Sequence, residues 1–346
     1  SLLAWVVFLV AILPTSRLRT EERCKDSRKA NTSQFPQFHR RRPAPPSNPA
    51  VRRRPPTRPP GAAPCATISG RVVAPPAGMT YTLDMQKTRL GIIGPGLIWD
   101  HTHRRIVEGM SNAFRVIALS ARSEETREKA RRQFPGAAIH PDYRDLIRSD
   151  KVDAAVVLTP IPLNAPVAME VLAAGKHAIV EKPMATGVDE AKALIDAETK
   201  SRGNVFILEQ FPHKTVIDEV RSIFEEGTLG KILHFEYVAH NRLKEAQDGE
   251  PPSWGDTAWR QETAFPLGNI FDGGIHNLSL LQMLFGPPLT VSSLGSNTRP
   301  DYGEYDTISS LFSYGNDLLG TFSHSGYLPA VHNYLVIRGS EGVAEI

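Results

Sequence analysis

From Lys87 onward the apolar positions of the chain follow two rhythms. The runs RLGIIG, FRVIALSA, VDAAVVLTP, HAIVEKP and NVFILEQF have the length and β-branched content of strands buried on both faces. Between them lie stretches of helical period, SEETREKARRQF, LNAPVAMEVLAAGK and VDEAKALIDAETKSRG. In the last of these Val188, Ala191, Leu194 and Ile195 share one face. Buried strands alternating with amphipathic helices imply right-handed crossovers, and so a parallel, doubly wound α/β sheet that binds ligands at the carboxyl ends of its strands. Further on, NIFDGGIHNLSLLQMLFG reads as one largely apolar helix, with Ile275, Leu278, Leu281 and Leu284 at helical spacing.

The first 85 residues obey neither rhythm. Leu2 to Leu13 is a 12-residue apolar run closed by Pro14, shorter than a membrane span and closer to the core of a signal segment. Between Pro43 and Pro76 stand 11 prolines among arginine runs, a composition that cannot bury a core. Residues 1–85 therefore read as a disordered basic leader. An import segment and a membrane-surface anchor are two readings of it; upstream sequence translated in error is the favoured one, with Met79 and Met85 as starts just before the first strand.

Charge separates the same two parts. The net charge of +3 averages +10 over residues 1–85 and −7 over residues 86–346, so the acidic remainder gives no reason to expect nucleic acid. Both cysteines, Cys24 and Cys65, precede the first strand, which leaves the globular part without disulfides or a thiol nucleophile. A cytoplasmic protein without stable membrane insertion is the expectation.

Chemistry gathers at the strand ends. In LGIIGPGLIWDHTH, Gly94, Pro95 and Gly96 turn the first strand into a helix starting near Leu97 and Ile98, whose amides would face a pyrophosphate. Trp99 occupies the place where the G-x-G-x-x-G fingerprint wants its third small residue. That residue serves helix packing, so the helix is expected to sit displaced while both glycines still face the phosphates. The second strand ends Ser120-Ala121-Arg122-Ser123, with no acid for a ribose 2′-hydroxyl and an Arg that can pair with a 2′-phosphate, which favours NADP over NAD. The bland alternative is a solvent-facing Arg122 beside Ser123 as a helix cap. Thr159 and Pro160 close the fourth strand, Asn164 follows on its helix, and Glu181-Lys182-Pro183 closes the fifth. Pro183 leaves Lys182 at the carboxyl edge, where a nicotinamide ring would lie. Asp272 and His276, four apart, suit an acid-base pair on one helical face, or else a cap and a core histidine. No third ligand has the spacing for a metal site.

These stretches resemble the glucose-fructose oxidoreductase, inositol dehydrogenase and MocA family, written Gfo/Idh/MocA. The resemblance is carried by GIIGPGLI, VVLTP, AAGKHAIVEKPMA, GTLGKI and DGGIH, and covers about residues 87 to 346. It implies an N-terminal Rossmann domain over 86–212 and a C-terminal α+β domain with an open mixed sheet over 213–346, which builds the substrate site and a homodimer or homotetramer contact. It implies that Lys182 contacts the reacting oxygen, His276 exchanges its proton, Asp272 partners that histidine, Glu181 contacts the cofactor, and the loop carrying Trp259 and Arg260 reaches back over it. SARS and the run around DGGIH look most similar to the NADP-using branch.

Departures from the family pattern are Asn164 and Ser279, where many members have His and Asp, and Trp99. Family members also continue past Ile346, so a fragment of a longer chain is expected, with an unpaired sheet edge. The expected activity is NADP(H)-preferring hydride exchange, with NAD as the alternative, on a CH–OH carbon of a sugar-like, cyclitol or dihydrodiol substrate. Rival readings are a non-catalytic NADP-binding sensor and a reductase of C=N or C=C bonds.

Overall fold

The computed structural model describes residues 87–346 except 243–247, 249, 251, 252, 262–267, 300–302 and 316. The leader, and with it the readings of residues 1–85, lies outside the described residues. No helix among the described residues is long and apolar enough to cross a membrane.

Six parallel strands form the first sheet in the order β3-β2-β1-β4-β5-β6. They are β1 (Thr88–Ile93), β2 (Phe114–Ser120), β3 (Ala138–His140), β4 (Ala154–Val157), β5 (His177–Glu181) and β6 (Val205–Leu208). The helices between them are α1 (Arg104–Gly109), α2 (Glu124–Gln133), α3 (Tyr143–Arg148), α4 (Ile161–Ala173) and α5 (Val188–Lys200). Every residue of β4 is buried, as an uninterrupted apolar run in a parallel sheet requires. The order reverses between β1 and β4, and the crevice at that reversal is where such sheets take ligands. Three-residue β3 is absent from the list of apolar runs, because Ala-Ile-His is too short to carry a period.

The first turn carries the feature the fingerprint had left open. Trp99 is fully buried, 5.9 Å from the Phe134 ring and among Leu90, Ile92 and Leu119. The structure shows here a π-helical turn, Trp99–His103, that runs into α1. The wider turn lets the indole point into the core while the preceding glycines keep their tight bend.

The second sheet is mixed, in the order β12-β11-β7-β10-β9-β8. Its strands are β7 (Ile232–Arg242), β8 (Thr290–Ser296), β9 (Thr307–Ser313), β10 (Leu319–Ser325), β11 (Tyr327–Gly339) and β12 (Val343–Glu345). β7 and β10 run parallel, and the remaining neighbours are antiparallel. Helix α6 (Thr215–Glu225) buries Ile217 and Val220 in the same core as Phe235, Phe322 and Ile337.

The segment expected as one helix is two, α7 (Gly268–Asp272) and α8 (Ile275–Phe285). Gly273 and Gly274 both donate to the Asn269 carbonyl, which interrupts the regular ladder. A Cβ on Gly274 would come within 2.6 Å of the Ile270 carbonyl oxygen, so only glycine fits the break. Asp272 and His276 consequently belong to different helices and address different partners.

Replacing Trp99 by Ala is expected to cost about 3–5 kcal/mol in urea denaturation, as for other buried aromatics. A loss below about 1 kcal/mol would show that the indole is not a core element.

Candidate active site

A large cavity of about 1710 Å³ runs from the β1 turn to the second sheet's helices. That is more than a drug-sized pocket and leaves room for a dinucleotide and a small substrate together. At one end lie Gly94, Pro95, Gly96, Leu97 and Ile98, with Ser120, Arg122, Thr159 and Pro160 on the walls. Gly94 adopts φ +74, and a Cβ there would sit 3.0 Å from the Leu158 carbonyl oxygen. Its N–H donates to the Ser120 carbonyl at 2.9 Å, which ties the β1 turn to the end of β2. Only glycine takes this φ so close to the end of β4, and the tight turn it makes lines the cavity ahead of a helix, so the residues fit a bound pyrophosphate. Ser123 does cap α2, its Oγ accepting from the Thr126 N–H. Arg122 still lines the cavity, exposed and without an acidic partner among the described residues.

At the other end, β5 delivers Lys182 and α7 delivers Asp272. The Lys182 ammonium donates to the Asp272 carbonyl at 2.7 Å and to its carboxylate at 3.2 Å. Arg260 Nε donates to the other carboxylate oxygen at 2.6 Å, while its guanidinium stacks on Trp259 at 4.1 Å. Burial opposes the charge on Asp272, but Lys182 and Arg260 override it and hold the carboxyl far below the ordinary range.

The histidine is served by a different acid. His276 Nδ1 lies 2.7 and 2.9 Å from the two Glu209 carboxylate oxygens, and its ring stacks on Phe211 at 4.8 Å. Glu209 is buried against its own charge, yet the bond and charge from His276 keep its carboxyl below the usual range. With Nδ1 held, Nε2 is the nitrogen left for proton exchange. The Asp272–His276 pair expected from their spacing is thus corrected to two pairs, Asp272 with Lys182 and Arg260, and Glu209 with His276. The reason is the glycine break between the two helices.

Two further expectations need refinement. Asn164 lines the cavity but is 1% exposed, with its amide engaged by the protein. Its Oδ1 accepts from Thr159 Oγ1, and its Nδ2 donates to the Glu181 and Pro183 carbonyls. It fixes the β5 turn against the end of β4. Glu181 accepts from the Lys182 N–H and lies 2.6 Å from His103 Nε2, so the π-helical turn also braces the lysine-bearing loop.

The family model described as the oxidoreductase family with an NAD-binding Rossmann fold matches residues 88–209, and the Gfo/Idh/MocA C-terminal domain matches 217–345. The chain belongs to the Gfo/Idh/MocA family. It is an NAD(P)-binding oxidoreductase. Among its relatives is a trans-1,2-dihydrobenzene-1,2-diol dehydrogenase of Mus musculus, 29% identical, the match covering 75% of this chain and 74% of that protein. An oxidoreductase from Thermotoga maritima superposes with TM-score 0.70 at 26% identity, over 75% of this chain and 79% of that one. A WlbA dehydrogenase of Bordetella pertussis, solved with NADH and UDP-GlcNAcA, shares the fold at TM-score 0.68 and 21% identity, over 75% and 78% of the two chains.

Within this Gfo/Idh/MocA chain, the cavity brings together all the residues expected from the sequence. Sequence reasoning missed Glu209 and His103. Glu209 follows β6 directly, at the same carboxyl edge that singled out Lys182, so the strand-end rule applied once more would have found it.

Asp272→Asn leaves two cations facing each other and is expected to cost about 3–5 kcal/mol of stability at pH 7. Because the native carboxyl is depressed, its contribution is complete above the ordinary carboxylate range and is lost as pH falls below it. The stability gap between wild type and variant, followed by denaturant titration, should therefore narrow below about pH 4.

Proposed function

We propose that residues 86–212 hold NADP(H), that residues 213–346 hold a sugar-like, cyclitol or dihydrodiol substrate, and that the chain oxidises a carbinol to a carbonyl reversibly. The observation that carries the reading is the meeting of Lys182 and His276 on the wall of the cavity that begins at the Gly94 turn. The mouse relative's name adds support for a dihydrodiol among these classes.

When bound, the nicotinamide supplies the acceptor for the hydride that leaves the carbinol carbon. The protein's residues manage the proton and the charge. His276 takes the hydroxyl proton on Nε2, and Glu209 stabilises the resulting imidazolium through Nδ1. The Lys182 ammonium stabilises the developing alkoxide. Asp272, itself held by Arg260, acts through Lys182 by fixing its position. Trp254, Trp259 and Arg260 line the same cavity, the guanidinium lying over both rings.

For the nucleotide, Arg122 favours the 2′-phosphate of NADP, with Ser123 and Thr126 beside it on the cavity wall. Self-association is assigned to the second sheet's open face. There β8 is exposed along its whole length, and Leu294 and Leu311, on one face, are 82% and 50% exposed, an apolar surface suited to a second copy.

Lys182→Met should lower turnover by at least about a thousandfold while nucleotide affinity, read by fluorescence titration, stays within a few-fold. Normal turnover by this variant would remove the catalytic assignment, and nucleotide binding without turnover of any polyol by the wild type would leave only a sensor. Arg122→Ala should weaken NADPH binding by about 10- to 100-fold and leave NADH unchanged. Equal losses for both nucleotides would refute the 2′-phosphate role.

A further inference from the structure

Asn269 on α7 is a buried amide with half of its hydrogen-bonding capacity unused. It is 9% exposed and lines the cavity one helical turn before Asp272. Its Oδ1 sits 2.8 Å from His324 Nε2, on β10 beneath it, and a Cβ on Gly326 would come within 2.3 Å of that oxygen. The amide is therefore held from below by an imidazole and by backbone that leaves no room for it to swing. Its Nδ2 donates to no described residue and is not sealed from solvent, so it is available to the cavity that the residue lines. A substrate oxygen entering from the cavity would take that N–H over from solvent in a largely desolvated setting, where a hydrogen bond discriminates strongly.

His324 fixes which end of the amide faces the cavity. It is 2% exposed, and its Nδ1 is buried without a partner. An orphaned lone pair is tolerated better than an orphaned N–H, so the single proton of the neutral ring belongs on Nε2, donating to Oδ1. Burial holds the ring neutral, with its pKa pushed down to about 4, so it remains a one-proton donor across the working range of the protein.

We propose that Asn269 is a specificity-determining residue that donates its amide N–H to a second oxygen of the substrate, next to the carbon oxidised between Lys182 and His276, with His324 as its positioning residue. The proposal rests on the dehydrogenase reading above and assigns to one residue the recognition of the oxygen beside the reacting carbinol. A plain secondary alcohol would leave the amide unpaired and bind less well.

The test compares trans-1,2-cyclohexanediol with cyclohexanol. Calorimetric titration into the NADPH-loaded protein reads binding, and steady-state kinetics with NADP read KM and kcat. Wild type should prefer the diol by about tenfold in binding and in KM. Asn269→Ala should erase that preference, the loss falling on diol binding and KM. His324→Phe should reproduce the loss, and His324→Gln, whose amide can still donate to Oδ1, should restore it. A wild type without preference, or an Asn269→Ala variant that keeps it, overturns the proposal. Should Asn269→Ala lose NADPH binding through misfolding, Asn269→Ser makes the same comparison. Diol-selective binding without turnover of either compound would overturn the dehydrogenase reading and still support the role of Asn269.

Discussion

One buried carboxylate holds the reaction end of the cavity together. Asp272 takes the Lys182 ammonium on one oxygen and the Arg260 guanidinium on the other, so a strand end of the first sheet and two segments beyond β7 are joined through a single side chain. Its neighbours are 16% and 13% exposed, and the charges are neither screened as at a surface nor left unpaired. Lys182 has a position because Asp272 is there. The turn that carries Lys182 is then fixed from two more sides, by Asn164 and by the Glu181–His103 contact.

A second carboxylate divides the labour. Were Asp272 to serve both Lys182 and His276, it would have to neutralise two cations while also accepting from an imidazole, with only two oxygens. Glu209 takes over the histidine, and the field of Lys182 reaches it as well, helping to keep it ionised. The cavity end thus holds two cations, Lys182 and Arg260, and two carboxylates, Asp272 and Glu209, with His276 held by the second of these. That balance suits a site in which proton movement, rather than a standing net charge, accompanies the reaction.

The sequence was legible where a local pattern and a local cause coincide. The parallel strands were visible as apolar runs, and Gly94, Lys182 and Arg122 followed from where such strands end. His276 was visible as well, but its partner was not. Spacing of four within an apolar helix pointed to Asp272, and the Gly273-Gly274 pair that breaks the helix looked like part of the pattern. Glu209 lies 67 residues from His276 in the chain, and no periodicity links them. β3 was silent because three residues carry no period, and the strands of the second sheet came from family resemblance rather than from alternation.

Trp99 shows how a departure from a motif can be absorbed without loss of the motif's purpose. The third small residue of a dinucleotide fingerprint lets the first helix pack closely on its strand, and a tryptophan there would force a regular helix away. Widening one turn to π geometry turns the indole inward instead, so the core gains a large apolar side chain and the glycine turn is undisturbed. The same turn ends at His103, buried and in contact with Glu181. A regular α-helix from Leu97 would rotate residue 103 by a different amount and lose that contact. The irregularity that accommodates Trp99 is therefore also what lets the nucleotide-facing helix brace the loop that carries Lys182, and the two ends of the cavity are mechanically connected through it.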